Sequence, residues 1–580
     1  MNSAMQEVTG SENTTSGQHA ESSQSRMRRD DEDMRSLLNF LFSRDPFACD
    51  ETLRSISSGV TADQIVHSDR AKEVGYTIFE SMKDNAVKHY TFRRKEQVVT
   101  MGVKASAKVD GETLQVDPQL LFQRLITVAN GLSDELDLLS VFEQELSCPP
   151  AALFDPSGLL RESDKAKLTG ALVSATSQES EKDIVDETSD IEYVLDGGSL
   201  LHRIPWRRSD TFAAIGQTYV EYVQRMYMNP RIGFDGYNDG PSTKDATHLR
   251  RSCGVVGPTI RFNPEMVCCA RKEHFLANPN NKQEFAQYLG DVLEKDGCQV
   301  LHAQGDADTL IVRTAVSCAI NKTAVVIGED TDLLVLLHHA DLRSRPLLLK
   351  SRSKTKKHRQ IDILSMKTRL GPLICHVFPF LHAINGCDTT SRLFGVAKGL
   401  PLKKIKTDAD FKTAVETLCT KGKTTADIIA SGKRALISLY GGRAGDTLDM
   451  LRYKRFWEKV TFSITTVQVL SLPPTSAAAK YHSLRVYLQA QDWIDTACDL
   501  QPEMWGWQLS SGRLNPCTTD LPPAPKLLLK MMRCNCKSDC RSKRCTCRKH
   551  GLECSLACGE CKGIDCLNSL SPEPLAHCDD

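Results

Sequence analysis

The 580-residue chain lacks any apolar run near the roughly 18 to 20 residues that a membrane-spanning helix needs. Its first residues are rich in Ser, Gln and Glu and hold no signal-peptide core, so a secreted or membrane-inserted protein is not expected. It also lacks net charge: 73 Lys plus Arg balance 73 Asp plus Glu, so the total says nothing about partners and only the distribution can. No internal repeat is visible. Apolar content of 41% and charged content of 25% are those of an ordinary globular protein, and the length calls for several domains. A soluble protein inside the cell is the expectation.

Cysteine is present in a telling distribution. Nine of the 22 lie between Cys534 and Cys566 and the rest are scattered. Scattered cysteines without a secretion signal point to reduced thiols, and a dense cluster in such a chain points to metal.

Composition and periodicity divide the chain. Residues 1–45 read as a disordered N-terminus. Residues 46–176 read as a mostly helical N-terminal domain, with "PQLLFQRLITVANGL" (118–132) at helical spacing. Residues 177–190 are an acidic, Ser-rich linker. From 191 to 400, short apolar runs alternate with helical stretches, the pattern of an α/β core on a parallel sheet. Residues 401–520 are again mostly helical, with Trp457, Trp493, Trp505 and Trp507 as expected packing anchors. A Pro-rich linker (521–533), the cysteine segment (534–568) and a disordered tail (569–580) follow.

In open parallel sheets, ligands gather at the carboxyl ends of strands. Five places in 191–400 put Asp there. "IEYVLDGG" ends at Asp196 and "RIGFDGYNDG" gives Asp235. "HAQGDADTLIVRTAVSCAI" opens a helix with Asp306 and Asp308, whose Leu310, Ile311, Ala315 and Ala319 would face the core. "TAVVIGEDTDLLVLL" supplies Asp330 and Asp332, and "AINGCDTTSR" supplies Asp388. Taken singly, each is an ordinary helix N-cap or a solvated turn. Seven carboxylates at one sheet edge, however, repel one another unless cations lie between them, and hard divalent ions are the natural occupants.

With these residues in place, the stretch 191–400 resembles the flap-endonuclease/XPG branch of the PIN-like nucleases, "GEDTDLL" and "NGCD" being its most specific pieces. The resemblance implies a PIN-like fold and a nuclease in which all seven Asp residues bind two Mg²⁺ or Mn²⁺ ions. Such a pair, roughly 4 Å apart, activates water and stabilises the leaving oxygen of a phosphodiester. It further implies that Lys244 and Arg251 (or Arg250) contact the scissile phosphate. Gly395, Lys398 and Gly399 of "FGVAKG" would form a phosphate-approaching turn; an ordinary capping turn is the alternative. Three features differ from that family. Asp stands for Glu at 306 and 308, the strand before Asp235 is weakened by Pro230 and Gly233, and about 190 residues precede the core. The basic run in "PLLLKSRSKTKKHRQIDIL" (346–364) reads as a solvated edge hairpin, with nuclear localisation or a DNA-facing edge as further readings.

The tail has the spacing C-x-C-x3-C-x4-C-x-C-x6-C-x3-C-x2-C-x4-C over Cys534, Cys536, Cys540, Cys545, Cys547, Cys554, Cys558, Cys561 and Cys566. Nine thiolates serve three tetrahedral zinc ions if three sulfurs bridge. So few apolar residues accompany them that metal would supply the folding free energy. This segment resembles the CXC domain of the tesmin group, which implies a three-zinc cluster and DNA binding. Where that group often has Tyr before the fourth cysteine, this chain has Arg544. Lys543, Arg544 and Arg548 are the expected nucleic-acid contacts. The segment 472–493 resembles one in uncharacterised animal proteins, some related to mobile elements; its His482 and Arg485 read as surface or core-edge residues, with a DNA-facing role as the alternative. The function expected is a structure-selective, metal-dependent DNA nuclease, nuclear, with a zinc tail that holds nucleic acid. The rival is a catalytically inactive DNA-binding or chromatin adaptor on the same fold, or a mobile-element accessory protein.

Overall fold

The computed structural model describes residues 24–44, 71–83, 106–109, 112–115, 118–130 and 137–568, except 177–189, 208, 237–239, 246, 248–249, 251–256, 343–345, 352–359, 463–466, 495–499, 511, 537–539, 556–557, 559–560 and 562–565. A small hairpin, β1 (Ser106–Val109) with β2 (Glu112–Gln115), precedes the main sheet. That sheet has six strands: β3 (Ile191–Asp196), β4 (Arg231–Phe234), β5 (Gln299–His302), β6 (Thr323–Ile327), β7 (Leu347–Lys350) and β8 (Gln360–Asp362). Their order is β5-β4-β3-β6-β7-β8, parallel except for β8, which runs antiparallel to β7. The stretch 346–364 is thus the edge hairpin expected, with its basic tip, 352–359, outside the described residues. After β3 the chain steps outward to β4 and β5, then returns to place β6 on the other side of β3. The strand order therefore reverses between β3 and β6, and a crevice opens beyond their carboxyl ends.

Successive side chains of a strand face opposite ways, so both faces of this sheet must be covered. Val194, Ala324, Val326, Leu347 and Leu349 pack into one core; Leu195, Ile232, Phe234, Val325, Ile327 and Leu348 pack into the other. Each of these Val, Leu, Ile and Phe side chains, fully buried, contributes about 1.5–3 kcal/mol. The second face is closed by the helices Phe212–Tyr227 and Pro279–Lys295.

The first face is closed in a way that corrects the expected domain boundaries. Its core includes Leu153, Phe154, Leu160, Leu168 and Leu172, from a region expected to be a separate domain, and Leu436, Val486, Tyr487, Trp493, Trp505 and Trp507 from 401–520. The sheet's apolar face is too large for its own crossover helices, and both flanking regions complete one continuous core. Residues 507–516 add a hairpin, β9 (Trp507–Ser510) with β10 (Arg513–Pro516), to a region expected to be helical. Trp457 is 44% exposed, unlike the other three tryptophans named above. The N-terminal stretch expected to be disordered contains the helix Gln24–Arg44.

A further cluster joins the helix Pro118–Asn130 to the C-terminal cysteine segment. Leu121, Phe122, Leu125 and Val128 of the helix Pro118–Asn130 pack against Leu528, Leu529 and Met532, and onto the cysteine segment. The expected linker 521–533 is therefore structural: it carries the helix Lys526–Met531, and Pro523 accepts a backbone bond from Leu146.

Candidate active site

Each acidic residue is positioned by the strand or helix that it ends or begins. Asp196 closes β3 and caps the helix Gly197–Arg203, accepting from the Ser199 N–H at 3.0 Å. Asp235 follows β4 and accepts from the Ala307 N–H at 3.1 Å, tying the loop that holds Asp306 to its own. Asp308 is the first residue of the helix Asp308–Cys318, which buries Ile311 and Ala315 as expected but leaves Leu310 half-buried. Asp330 caps the helix Thr331–His339 through the Asp332 N–H, at 3.0 Å. Asp388 lies beyond the helix Pro372–Ile384, its carbonyl accepting from the Thr247 hydroxyl at 2.6 Å. The N-cap reading is thus right for Asp196 and Asp330. It uses one oxygen of each and leaves the other for the crevice.

All seven carboxylates come to this crevice. Asp308, Asp330 and Asp332 each bring an oxygen within 4.8 Å of the others. Asp196 and Asp235 meet over Gly198, where an added Cβ would stand 3.2 Å from Asp196 Oδ1 and 3.4 Å from Asp235 Oδ2 and so would press on both. Lys244 pairs with Asp306. Burial pushes the Asp196 carboxyl up to about 7, with the charges of Asp235 and Asp330 adding to it. Burial also raises Asp308, reinforced by Asp306, and Asp330, reinforced by Asp332. Asp332 goes the other way: burial opposes its charge, but Lys165 and His382 hold its carboxyl well below the usual range. His382 is itself buried and is pushed down to about 4, so its neutral ring donates from Nε2 to Asp332 Oδ1 at 2.8 Å, with Trp493 stacked on it.

Several of these neighbours could not be read from the amino-acid pattern. The Nζ of Lys165 lies 3.2 Å from Asp330 Oδ1, 2.8 Å from Asp332 Oδ2 and 3.0 Å from Asp388 Oδ1. Lys282 approaches Asp235 at 3.8 Å. Asp492, on the helix Ser476–Ile494, is raised by burial and then by the charge of Asp306, which makes it an eighth carboxylate at the rim. Next to it a cavity of about 140 Å³ is lined by Thr243, Thr389, Gln489, Asp492 and Trp507. None of these residues stands in a pattern that sets it apart from other lysines and acids.

Other expectations need correction. Lys398 is 9% exposed and its ammonium donates to the carbonyls of His382, Asn385 and Gly386, so it braces the Asp388 turn and is not free to meet a phosphate. Arg251 lies outside the described residues; Arg250 pairs with Asp155 at 3.2 Å and with the Leu160 carbonyl. His482 and Arg485 are buried, bonded to the carbonyls of Ile384 and of Gly506 and Cys517, and do not face solvent.

In the tail, three groups of four sulfurs lie within metal-binding reach: Cys534, Cys540, Cys545 and Cys554; Cys534, Cys547, Cys554 and Cys558; and Cys540, Cys554, Cys561 and Cys566. They share Cys534, Cys540 and Cys554, the bridged arrangement that a multi-metal thiolate cluster requires. Among the described residues Cys536 joins none of the three. Lys543 and Arg544 are exposed, whereas the Arg548 guanidinium donates to the carbonyls of Arg541 and Leu567 and so serves the segment's own fold. Arg124 anchors the cluster from the N-terminal side, donating to the carbonyls of Met532 (2.9 Å) and Glu553 (2.5 Å) and to Cys547 Sγ (3.1 Å).

Fold and site together define a mixed α/β protein with a carboxylate-lined crevice at the reversal point of its sheet and a C-terminal cysteine cluster. Residues 1–145 match a family described as a domain of unknown function, DUF8702. No curated protein matches the chain. Two solved structures, of a "eukaryotic junction-resolving enzyme GEN-1" with cesium and with sodium, are similar at 14% identity. The first covers 52% of this chain and 65% of its own, with a TM-score of 0.25; the second covers 57% and 70%, with a TM-score of 0.24. This chain thus spans less than two thirds of the first. Likeness at that level carries no weight for the site, which stands on its own geometry.

Proposed function

We propose that this protein is a metal-dependent, structure-selective nuclease that hydrolyses phosphodiesters in DNA, and that its cysteine segment binds zinc and holds the enzyme on nucleic acid or chromatin. The observation that carries this reading is the meeting of seven carboxylates from five loops at one crevice, with Lys244 beside them. The donor set suits Mg²⁺ or Mn²⁺: every candidate ligand is a hard oxygen, and Asp308, Asp330 and Asp332 are within reach of one ion. When bound, such an ion supplies an activated water and positive charge against the phosphate. Asp196, Asp235, Asp306 and Asp388 shape and charge the same crevice. Lys244, and Arg251 from the same segment, offset charge that builds on the phosphate oxygens. On the tail, Lys543 and Arg544 offer their side chains to a phosphate backbone.

The test is direct. Purified full-length protein is incubated with flapped, hairpin and single-stranded DNA and RNA in Mg²⁺, Mn²⁺ or EDTA. Cleavage is expected with either metal and not in EDTA. Asp308→Asn should lower the rate by roughly 100-fold or more while DNA binding persists. A second reading, an inactive DNA-binding adaptor, is favoured by one observation: Lys165 already pairs with three of the carboxylates. Binding by the wild type with no cleavage of any substrate decides for the adaptor.

A further inference from the structure

The position of Lys165 bears on how many metal ions the crevice takes. An ammonium has three N–H donors, and here three carboxylate oxygens, from Asp330, Asp332 and Asp388, lie within 3.2 Å of one Nζ. Its side chain is only 16% exposed. Nor is it a surface lysine swinging in from solvent, because both sides of it are fixed. Upstream, Arg161 donates from Nε to the Ala151 carbonyl at 2.8 Å, accepts from the Arg392 N–H at 3.0 Å, and lies over the Phe394 ring. Downstream, Leu168 and Leu172 of the helix Ala166–Thr176 are buried in the main core. Asp332 is therefore engaged on both oxygens, Oδ2 by Lys165 and Oδ1 by His382.

A divalent ion needs oxygens at about 2.0–2.1 Å for Mg²⁺, so it cannot share these three oxygens with an ammonium held among them. On the Asp308 side the lysine is Lys244, which pairs with Asp306, while Asp308 and Asp330 approach each other, with Asp196 close by. We infer that Lys165 is a built-in cation that stands in for one metal ion, so that the crevice takes a single divalent ion, on the Asp308–Asp330 side, and not two. Lys165 is then a positioning residue: it holds Asp332 and Asp388 together and fixes Asp330 for the one ion. This rests on the metal-dependent reading given above, which allowed a pair of ions.

The experiment counts ions. Zinc-loaded, full-length protein is titrated with Mn²⁺, followed by calorimetry and by the electron paramagnetic resonance of free Mn²⁺. The double variant Asp308→Asn, Asp330→Asn gives the background outside the crevice. Above it, the wild type should bind one Mn²⁺ and Lys165→Met two. If Lys165→Met is recovered only in the presence of Mn²⁺, its Mn²⁺ content after gel filtration supplies the same count. Two ions in the wild type would overturn the inference and leave the metal-dependent reading standing. One ion in both proteins would overturn it too, since removing the lysine would then have opened no position. No Mn²⁺ above background in either protein would overturn the inference and the metal-dependent reading together.

Discussion

At the scale of single residues, the crevice is a balance between burial, which favours neutral carboxyls, and cations, which favour charged ones. Asp196 lies on the first side. Burial lifts its carboxyl to about 7, above the about 3.9 of an unfolded Asp. A raised value in the folded state means that its contribution to stability is full below the unfolded value and is lost as pH rises through about 7. Asp308 and Asp330 are raised for the same reason and act in the same direction, whereas Asp332, held down by Lys165 and His382, stays charged across this window. Without metal, the melting temperature should therefore fall between pH 5 and pH 8 as these groups ionise (roughly the span between the unfolded value and just above the folded one). A divalent ion competes with those protons. Its affinity should climb by up to about tenfold per pH unit below 7 for each proton displaced, then level off. Mn²⁺ titrations at several pH values check this, and Asp196→Asn should flatten the curve. An affinity that does not change from pH 5.5 to 8 would contradict it.

At the scale of elements, the helix Ala166–Thr176 links the core to the crevice. Leu172 is fully buried in it, so Leu172→Ala should cost about 2–5 kcal/mol in urea unfolding. The same change should also weaken Mn²⁺ discrimination in the crevice, because the helix is what fixes Lys165. A substitution that lowers stability by that amount but leaves the metal count and affinity untouched would show that the helix has no hold on the site. This element also shows what could be read in advance. The strands β3 and β6, with the acids after them, were legible because strands buried on both faces give continuous apolar runs that end where the backbone turns. β4 was legible only as a doubtful strand. Its Gly233, which weakens the pattern, is needed: an added Cβ would sit 2.7 Å from Ile311 Cγ1, so the helix Asp308–Cys318 could not lie so close. The position of Lys165 could not be read at all, since its partners are 165 and 167 positions away and leave no local periodicity. The Pro-rich segment 521–533 was misread for a related reason. Ala524, Leu528 and Leu529 are buried by a helix some four hundred positions earlier, and composition alone does not reveal such a partner.

At the scale of the whole molecule, the cysteine segment and the helix Pro118–Asn130 form one packed unit, with Arg124 donating into the cluster. Removing any metal that the cluster holds should thus loosen more than the tail. With a strong chelator, hydrogen exchange should speed up in 118–130 and 526–531 as well as in 534–566, while the strands β3, β4 and β6 keep their protection. Exchange confined to 534–566 would refute the coupling. The distance along the chain between Lys165 and its partners has a consequence for biosynthesis. The lysine leaves the ribosome well before any of the three carboxylates it pairs with, and at 5–20 residues per second the 165 positions to Asp330 represent roughly 10–30 s of translation. A nascent polypeptide therefore carries the cation without its anions, and the crevice closes only after Asp388 has emerged. A ribosome-bound intermediate has no assembled acidic pocket.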